Sequence, residues 1–524
     1  MNRRRLLATL ATMPATASWS ATAGRDLQNP YAAVDWDAWE CLHSMSHQHQ
    51  GQTDASRDGF VNMGYGHFAF SNYYPSAPTY PLPPNYAAKH PQLIAAPNAE
   101  HHSFTDAGLH ANALGSMLAT GYGSHVSAKE CATSPISHRF EGLNVFDDRL
   151  PWLGVYRLDV SLVAKTSKPT ARITIEGANE CDFRKGFADK GAIQDRELPP
   201  GSHTLYLRTT AASIGTKLVF DVESMSLTQL RLMQGTNRPW RDVFREAFEK
   251  LQYPDGGGMT LNHPTGKMTD YLPMLDFDSR VLGIEVWNQL TSGFGSSRGF
   301  YDHSGEPNLH FYQLWDDILR SGRPCWGFFV KDHNTFGRGR NVLLVPKLAK
   351  LSPTEREAAA LHAYRQGTFF GSVASLAASE AGEVVAPFDR SGFRFSRIVV
   401  RDDTLLVSVT GNDAKRPRVQ IRFVTDQGIA SIVDSSNAEF PLKRNDSGQL
   451  VAQFVRVEAF AYPETHLRGK PLTAEKLRGM NVHDISLLHD QKAMRGPAFA
   501  STDPDLRSPI PIVDMIFSQP LRRV

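Results

Sequence analysis

A seven-residue run near the start of the chain, His43-Ser-Met-Ser-His47-Gln-His49, puts three imidazoles into one short segment. If the run is extended, His47 and His49 project from one face and both rings reach a single ion. Alone, such a tract is a compositional hint, and a solvated His-rich loop reads the same way. More ligand types follow at wide spacing: Asn98-Ala-Glu100-His101-His102, then His110, then Leu261-Asn-His263-Pro264. Gly283-Ile-Glu285-Val-Trp-Asn288 and Trp326-Gly-Phe-Phe-Val-Lys-Asp332-His333-Asn334 complete the series. The last three words each put a polar residue where an apolar run ends, and polar groups at successive strand ends are how a parallel barrel builds an active site. Any one of these groups reads equally well as a satisfied core residue; five in succession do not. Imidazole with carboxylate is the donor set of a transition-metal site that keeps positions open for water and substrate.

The elements that must position these residues fall into sections. Residues 24–140 are rich in His, Asn, Tyr and Gly, with few helical patterns, which is the texture of functional loops. Residues 141–235 change to two-residue alternation, as in Tyr156-Arg-Leu-Asp-Val-Ser-Leu-Val163 and Gly201-Ser-His-Thr-Leu-Tyr-Leu-Arg208, and read as an inserted β-sandwich of jelly-roll type that could bind carbohydrate. In 236–384 helices and strands alternate. Trp240–Leu251 is an amphipathic helix, Met259–His263 and Val281–Trp287 are short strands, and Leu309–Ser321 is a helix before the strand Cys325–Val330. A capping box, Ser352-Pro-Thr-Glu355, starts a helix that runs to about Gln366. Residues 385–524 return to strands and read as a small C-terminal β domain.

At 524 residues the chain exceeds a single core. Its 56 basic and 54 acidic side chains nearly balance, which gives no reason to expect nucleic acid or an acidic membrane as partner. A small molecule or a glycan is the expected substrate, with no expectation about oligomeric state. Arg3, Arg4 and Arg5, followed by the apolar run Leu6–Ala17 and the small residues Ala21-Thr-Ala23, read as a twin-arginine type export signal over residues 1–23. The expected location is therefore periplasmic or secreted. No later stretch has the roughly 18–20 apolar residues of a membrane span. The four cysteines lie too far apart for a zinc ribbon, although an exported chain could hold one long-range disulfide.

Taken in order, His-x-His, Glu100, His110, "NHP", "IEVWN", "ILRSGRP" and "CWGFFVKDHN" resemble the polymerase-and-histidinol-phosphatase (PHP) superfamily. The similarity covers roughly residues 39–113 and 254–372 and extends to "VQIRFVTDQG", "VRVEAF" and the closing "MIFSQP". It implies a distorted (β/α)7 barrel interrupted by the β insertion, holding Zn, Mn or Fe and cleaving phosphate esters. Carried over by position, His47, His49, Glu100 and Asp332 would hold one metal. Glu100 would bridge to a second, held by His110 and His263.

The chain departs from the pattern at two places that would serve a third metal. Ser71-Asn72-Tyr73 stands where members read "TDH", and Asp332-His333-Asn334 stands where they end in Asp-x-His. The expectation is therefore two divalent transition-metal ions. Asn72 and Asn334 would then line a polar pocket, with His333 as general acid. Glu285 and Asn288 would face the substrate from a strand end, although Glu285 reads equally as the partner that orients a ligand imidazole. Arg298, with His67, His101, His102, Lys267 and His303, could meet an anion, and Tyr73, Tyr74 and Tyr80 could stack a sugar. A metal-dependent phosphoesterase ranks first. A glycan-cleaving enzyme on the same scaffold and a non-catalytic carbohydrate binder follow.

Overall fold

The computed structural model describes residues 27–49, 51, 53–71, 80, 82, 84–101, 104–116, 118–120, 137–150, 154–162, 171–176, 181–184, 195–198, 201–209, 214–234, 238–288, 293–295, 309–332, 338–375, 377–378, 384–385, 392–412, 415–466, 470–490 and 510–524. The export segment and the positions Asn72, Tyr73, Arg298, His333 and Asn334 lie outside the described residues. Among those described, no helix is long and apolar enough to cross a membrane, and Cys41 and Cys325 are free thiols.

The strands that carry the site are β1 (Glu40–Met45), β2 (His67–Phe68), β3 (Ile94–Ala95), β4 (Glu100–His101) and β5 (His110–Leu114). Beyond the insertion come β6 (Gly258–Asn262), β7 (Val281–Asn288), β8 (Trp326–Val330), β9 (Gly339–Val345) and β10 (Phe369–Val373). The C-terminal section adds β11 (Arg418–Thr425), β12 (Phe454–Tyr462) and β13 (Asp514–Ser518). Every residue of β6 to β10 is buried, as continuous apolar runs with packing on both faces require.

These strands form two open sheets, and this corrects the expected (β/α)7 barrel. In one sheet of eleven strands the order β12-β13-β10-β9-β1-β2-β3 is antiparallel from β12 to β1 and parallel only from β1 to β3. The other sheet runs β8-β7-β6-β5-β4, parallel over β8-β7-β6 and antiparallel over β6-β5-β4. A (β/α)7 barrel needs a crossover helix between successive parallel strands all round. Only eight α-helices occur among the described residues, and most neighbouring strands run antiparallel. The apolar content of a buried strand is the same in either direction, so pattern alone overcounted the parallel pairs. The C-terminal section does not stand apart either, because β11, β12 and β13 pair into the larger sheet. A separate three-stranded sheet does form from Arg394–Arg401, Thr404–Thr410 and Asn437–Pro441.

Where β8 faces the other sheet without a ladder, side chains complete its backbone hydrogen bonds. Asn341 Oδ1 accepts from Phe329 N–H at 3.0 Å, and the Gln519 amide bonds both Gly327 N–H and Gly327 C=O at 2.8 and 2.9 Å. The helices follow their sequence signals. In α1 (His310–Arg320), Phe311, Leu314, Trp315, Ile318 and Leu319 are buried on one stripe. In α2 (Pro353–Gln366), Ser352 and Glu355 form the capping box and Gly367 ends the helix at φ +71°. A side chain at Gly367 would also meet the Trp326 ring, 2.6 Å from an added Cβ.

The seven described elements from Ser137 to Gln234 are all strands and, with Leu118–Thr120, form one eight-stranded network around the 21-residue strand Ile214–Gln234. Its last residues, Leu232–Gln234, pair in parallel with Leu118–Thr120. The chain therefore enters and leaves this insertion at adjacent points, just beyond β5.

Candidate metal centre

Ligand-type residues converge because strand ends meet at one edge of the two sheets. His47 and His49 follow β1, His263 follows β6, Asp332 lies two residues beyond β8, and Glu285 sits within β7. His110 and Glu100 arrive differently, from the starts of antiparallel strands. In the register of the smaller sheet His110 lies opposite Asn262, and Glu100 lies opposite Asn112. The first residue of an antiparallel strand thus reaches the edge where the parallel strands end.

Four donor atoms meet here: His47 Nε2, His49 Nε2, Glu100 Oε2 and Asp332 Oδ1. The two imidazole nitrogens are 3.0 Å apart. Glu100 Oε2 is 3.4 Å from His47 and 2.8 Å from His49, while Asp332 Oδ1 is 3.4 and 3.3 Å from the same nitrogens. All four residues are buried, and this group could hold a metal ion. The spacing fits one, since tetrahedral ligands at about 2.0–2.1 Å from an ion are about 3.3–3.4 Å from one another. The other oxygen of Glu100 faces a different pair. Oε1 is 3.1 Å from His110 Nδ1 and 3.4 Å from His263 Nε2, and it accepts from Asn262 Nδ2 at 2.9 Å. The His110 and His263 rings meet edge to face with centroids 4.8 Å apart.

Glu285 fixes this geometry. Its Oε1 lies 2.6 Å from His47 Nδ1, which leaves the His47 Nε2 lone pair free to face the centre. Its Oε2 accepts from the His263 backbone N–H at 2.6 Å and from Asn288 Nδ2 at 2.8 Å. Asn288 reaches on to Asp332 Oδ2 at 3.3 Å. Glu285 and Asn288 touch His47, His263 and Asp332, and both are fully buried, so neither presents a surface to solvent. Two residues of this cluster hold a backbone conformation that L side chains rarely adopt, His263 at φ +26° and Asp332 at φ +58°. Conformations of this kind cost about 1–3 kcal/mol each and persist where the surroundings over-determine them.

The electrostatics call for positive charge at the centre. Burial disfavours a charged His47, but Asp332, Glu100 and Glu285 outweigh it and hold its pKa well above the usual value. His49 and His263 are also raised, with burial opposed chiefly by Glu100 and, for His49, by Asp332. Burial would raise the Asp332 pKa, yet His47 and His49 bring it below the usual carboxylate range. The same carboxylates that raise these imidazoles would favour a bound cation.

The other sequence candidates lie elsewhere. His67 is buried with Nδ1 2.6 Å from Ser44 Oγ, and burial lowers its pKa to about 3, so it is a neutral packing residue. The Tyr80 hydroxyl lies between Gln252 Oε1 at 2.9 Å and Glu357 Oε1 at 3.1 Å, and Lys267 is exposed. Four asparagines escaped the sequence reading. Asn98 donates to Ser46 O at 2.7 Å, Ala69 O at 2.9 Å and Ser71 Oγ at 2.9 Å. Asn112 donates to Ser46 O at 3.2 Å and Asn341 to Ser46 Oγ at 3.0 Å, so three amides clamp the residue before His47. Asn262 is the fourth, on Glu100. A signal was there to use: Asn98 and Asn262 each sit within two residues of a ligand, inside an otherwise apolar stretch.

No protein-family model matches the chain, and no curated protein matches it.

Proposed function

We propose that this protein is a metal-dependent hydrolase of phosphate esters, acting on a small molecule or glycan. The observation that carries the reading is one buried carboxylate, Glu100, with an oxygen toward each of two histidine pairs. His47, His49, Glu100 and Asp332 would hold one divalent transition ion. His110 and His263 would share Glu100 with a second, the ions being Zn, Mn or Fe. Such a pair supplies a water of lowered pKa and a clamp on phosphoryl oxygens.

The chain's own residues divide the remaining work. Glu285 keeps the His47 tautomer, and Asn262 and Asn288 hold the carboxylates of Glu100 and Asp332. The His110 side chain is 35% exposed against 5% or less for His47, His49 and Asp332, so substrate enters on the His110 side. His333, next to Asp332 in the chain, is the proposed proton donor to the leaving group. His333→Ala should lower turnover by roughly 10²–10⁴ with metal content unchanged, and loss of metal would remove it from that role. The N-terminal arginines and apolar run support export to the periplasm or beyond.

The test is turnover by Zn- or Mn-loaded protein on nitrophenyl phosphate, bis-nitrophenyl phosphate, sugar phosphates and oligosaccharides. Metal-dependent phosphoester cleavage that the His47→Ala/His49→Ala double variant lacks is the expected result. Sugar release without phosphate chemistry, or full activity after metal stripping, overturns the reading.

A further inference from the structure

A cavity of about 480 Å³ lies against β1, β9 and β10 on one face of the larger sheet. That volume is within the roughly 300–1,000 Å³ of small-molecule sites. Strand alternation separates the cavity from the metal centre. His43, Arg340 and Val342 line it, whereas their neighbours Leu42 and Asn341 belong to the opposite face, where Asn341 clamps Ser46.

Its walls combine aromatic rings with charged and polar side chains. Trp36, Trp39 and Phe393 supply flat apolar surface, with Arg340 buried among the lining residues and Arg394 exposed. Arg340 Nη1 donates to His43 Nδ1 at 3.3 Å, and the other side of that ring bonds the Gly64 carbonyl. His43 is therefore neutral: burial and the Arg340 charge hold its pKa well below the usual value. The Cys41 thiol is neutral too, pushed up to about 11 by burial. Of the two acids in the wall, Glu40 accepts from the Leu348 N–H at 2.7 Å, and the exposed Asp37 lies 3.8 Å from Arg397. On the donor side, the Trp36 indole N–H is buried and has no acceptor among the described residues. Two guanidinium groups thus border a space walled by aromatic rings and polar side chains, whose two acids face other groups.

We propose that this cavity is a second binding site, for a small aromatic carboxylate. The ring lies against Trp36, Trp39 and Phe393. The carboxylate is held by the charges of Arg340 and Arg394.

The probe is 1-naphthoate, titrated calorimetrically into the full chain, with 1-naphthamide as its uncharged counterpart. Naphthoate should bind saturably with a Kd below about 1 mM, and the amide about tenfold more weakly. Arg394→Gln, at the exposed rim, and Trp36→Ala, which removes one ring from the wall, should each weaken naphthoate by about tenfold. Arg394→Gln should leave the amide unchanged. Binding must also survive His47→Ala/His49→Ala, since a carboxylate drawn to the metal centre would be lost there. No saturable binding to the wild-type chain, equal affinity for acid and amide, indifference to both cavity variants, or loss in the double-histidine variant each overturns the site.

Discussion

Glu285→Gln preserves shape and removes one charge, and the donors around the side chain dictate the consequence. Both ends of the Glu285 carboxylate face donors: His47 Nδ1 at 2.6 Å on one oxygen, the His263 N–H and Asn288 Nδ2 at 2.6 and 2.8 Å on the other. An amide has one accepting end and one donating end. The backbone N–H and the Asn288 amide cannot become acceptors at those positions, so the amide oxygen must stay with them. The new NH₂ then faces His47 Nδ1, which must accept, and the proton moves to His47 Nε2. A protonated Nε2 cannot ligate. Turning the amide over instead sets its NH₂ against two donors in a site with no solvent access. Either outcome should weaken metal binding by about 10–100-fold, or about 1.4–2.7 kcal/mol, the usual cost of removing a group that orients a ligand. The assay is a competition titration of zinc against a fluorescent chelator, with circular dichroism to verify folding. Nitrogen-detected NMR of the His47 ring reports the tautomer directly. A folded Glu285→Gln protein that binds zinc within about twofold of the parent would refute the argument.

Other outcomes can be worked from the same structure. The donor separations of 2.8–3.4 Å correspond to a centre-to-ligand distance of about 2.0 Å in a tetrahedron, so X-ray absorption of the zinc-loaded chain should show a nitrogen/oxygen shell near that distance. A sulfur shell at about 2.3 Å would contradict the assigned ligands. Away from the centre, the fully buried Arg456 pairs with Asp316 through both carboxylate oxygens at 2.9 and 3.0 Å, with Glu458 beside it. Asp316→Ala should cost about 3–5 kcal/mol in urea unfolding, and a loss under about 1 kcal/mol would show the pair to be replaceable. Burial pushes the Glu357 carboxyl up to about 7 against the lowering effect of hydrogen bonds from Tyr80 and Tyr253. Between its unfolded value of about 4.3 and about 7 the native state binds the extra proton, so stability falls as pH rises through that window. Because Glu357 is only partly buried, its share is about 1–3 kcal/mol; Glu357→Gln should stabilise at pH 8 and not at pH 4, and equal gains at both would contradict the sign.

The sequence by itself determined the local elements and the ligand types. Ser352 and Glu355 announce a helix, Phe311 to Leu319 an amphipathic one, and the apolar runs before Asn262, Asn288 and Asp332 are strands that end in polar groups. Those features depend on neighbours within a few residues, and hydrophobic periodicity reports them. The gathering of His47, His49, Glu100 and Asp332, separated by up to 285 positions, was suggested only by the order of short motifs. Tertiary structure decided everything that depends on which strand lies beside which. Strand β1 pairs with β9 about 300 residues away, and β10 pairs with β13, because pairing follows backbone hydrogen bonds and packing that carry no local letter code. The same long-range register turned the expected barrel into two open sheets and brought His110 opposite Asn262 from an antiparallel strand. It also set the asparagine clamps on Ser46, because an amide in an apolar strand acquires its role only from the backbone that arrives beside it.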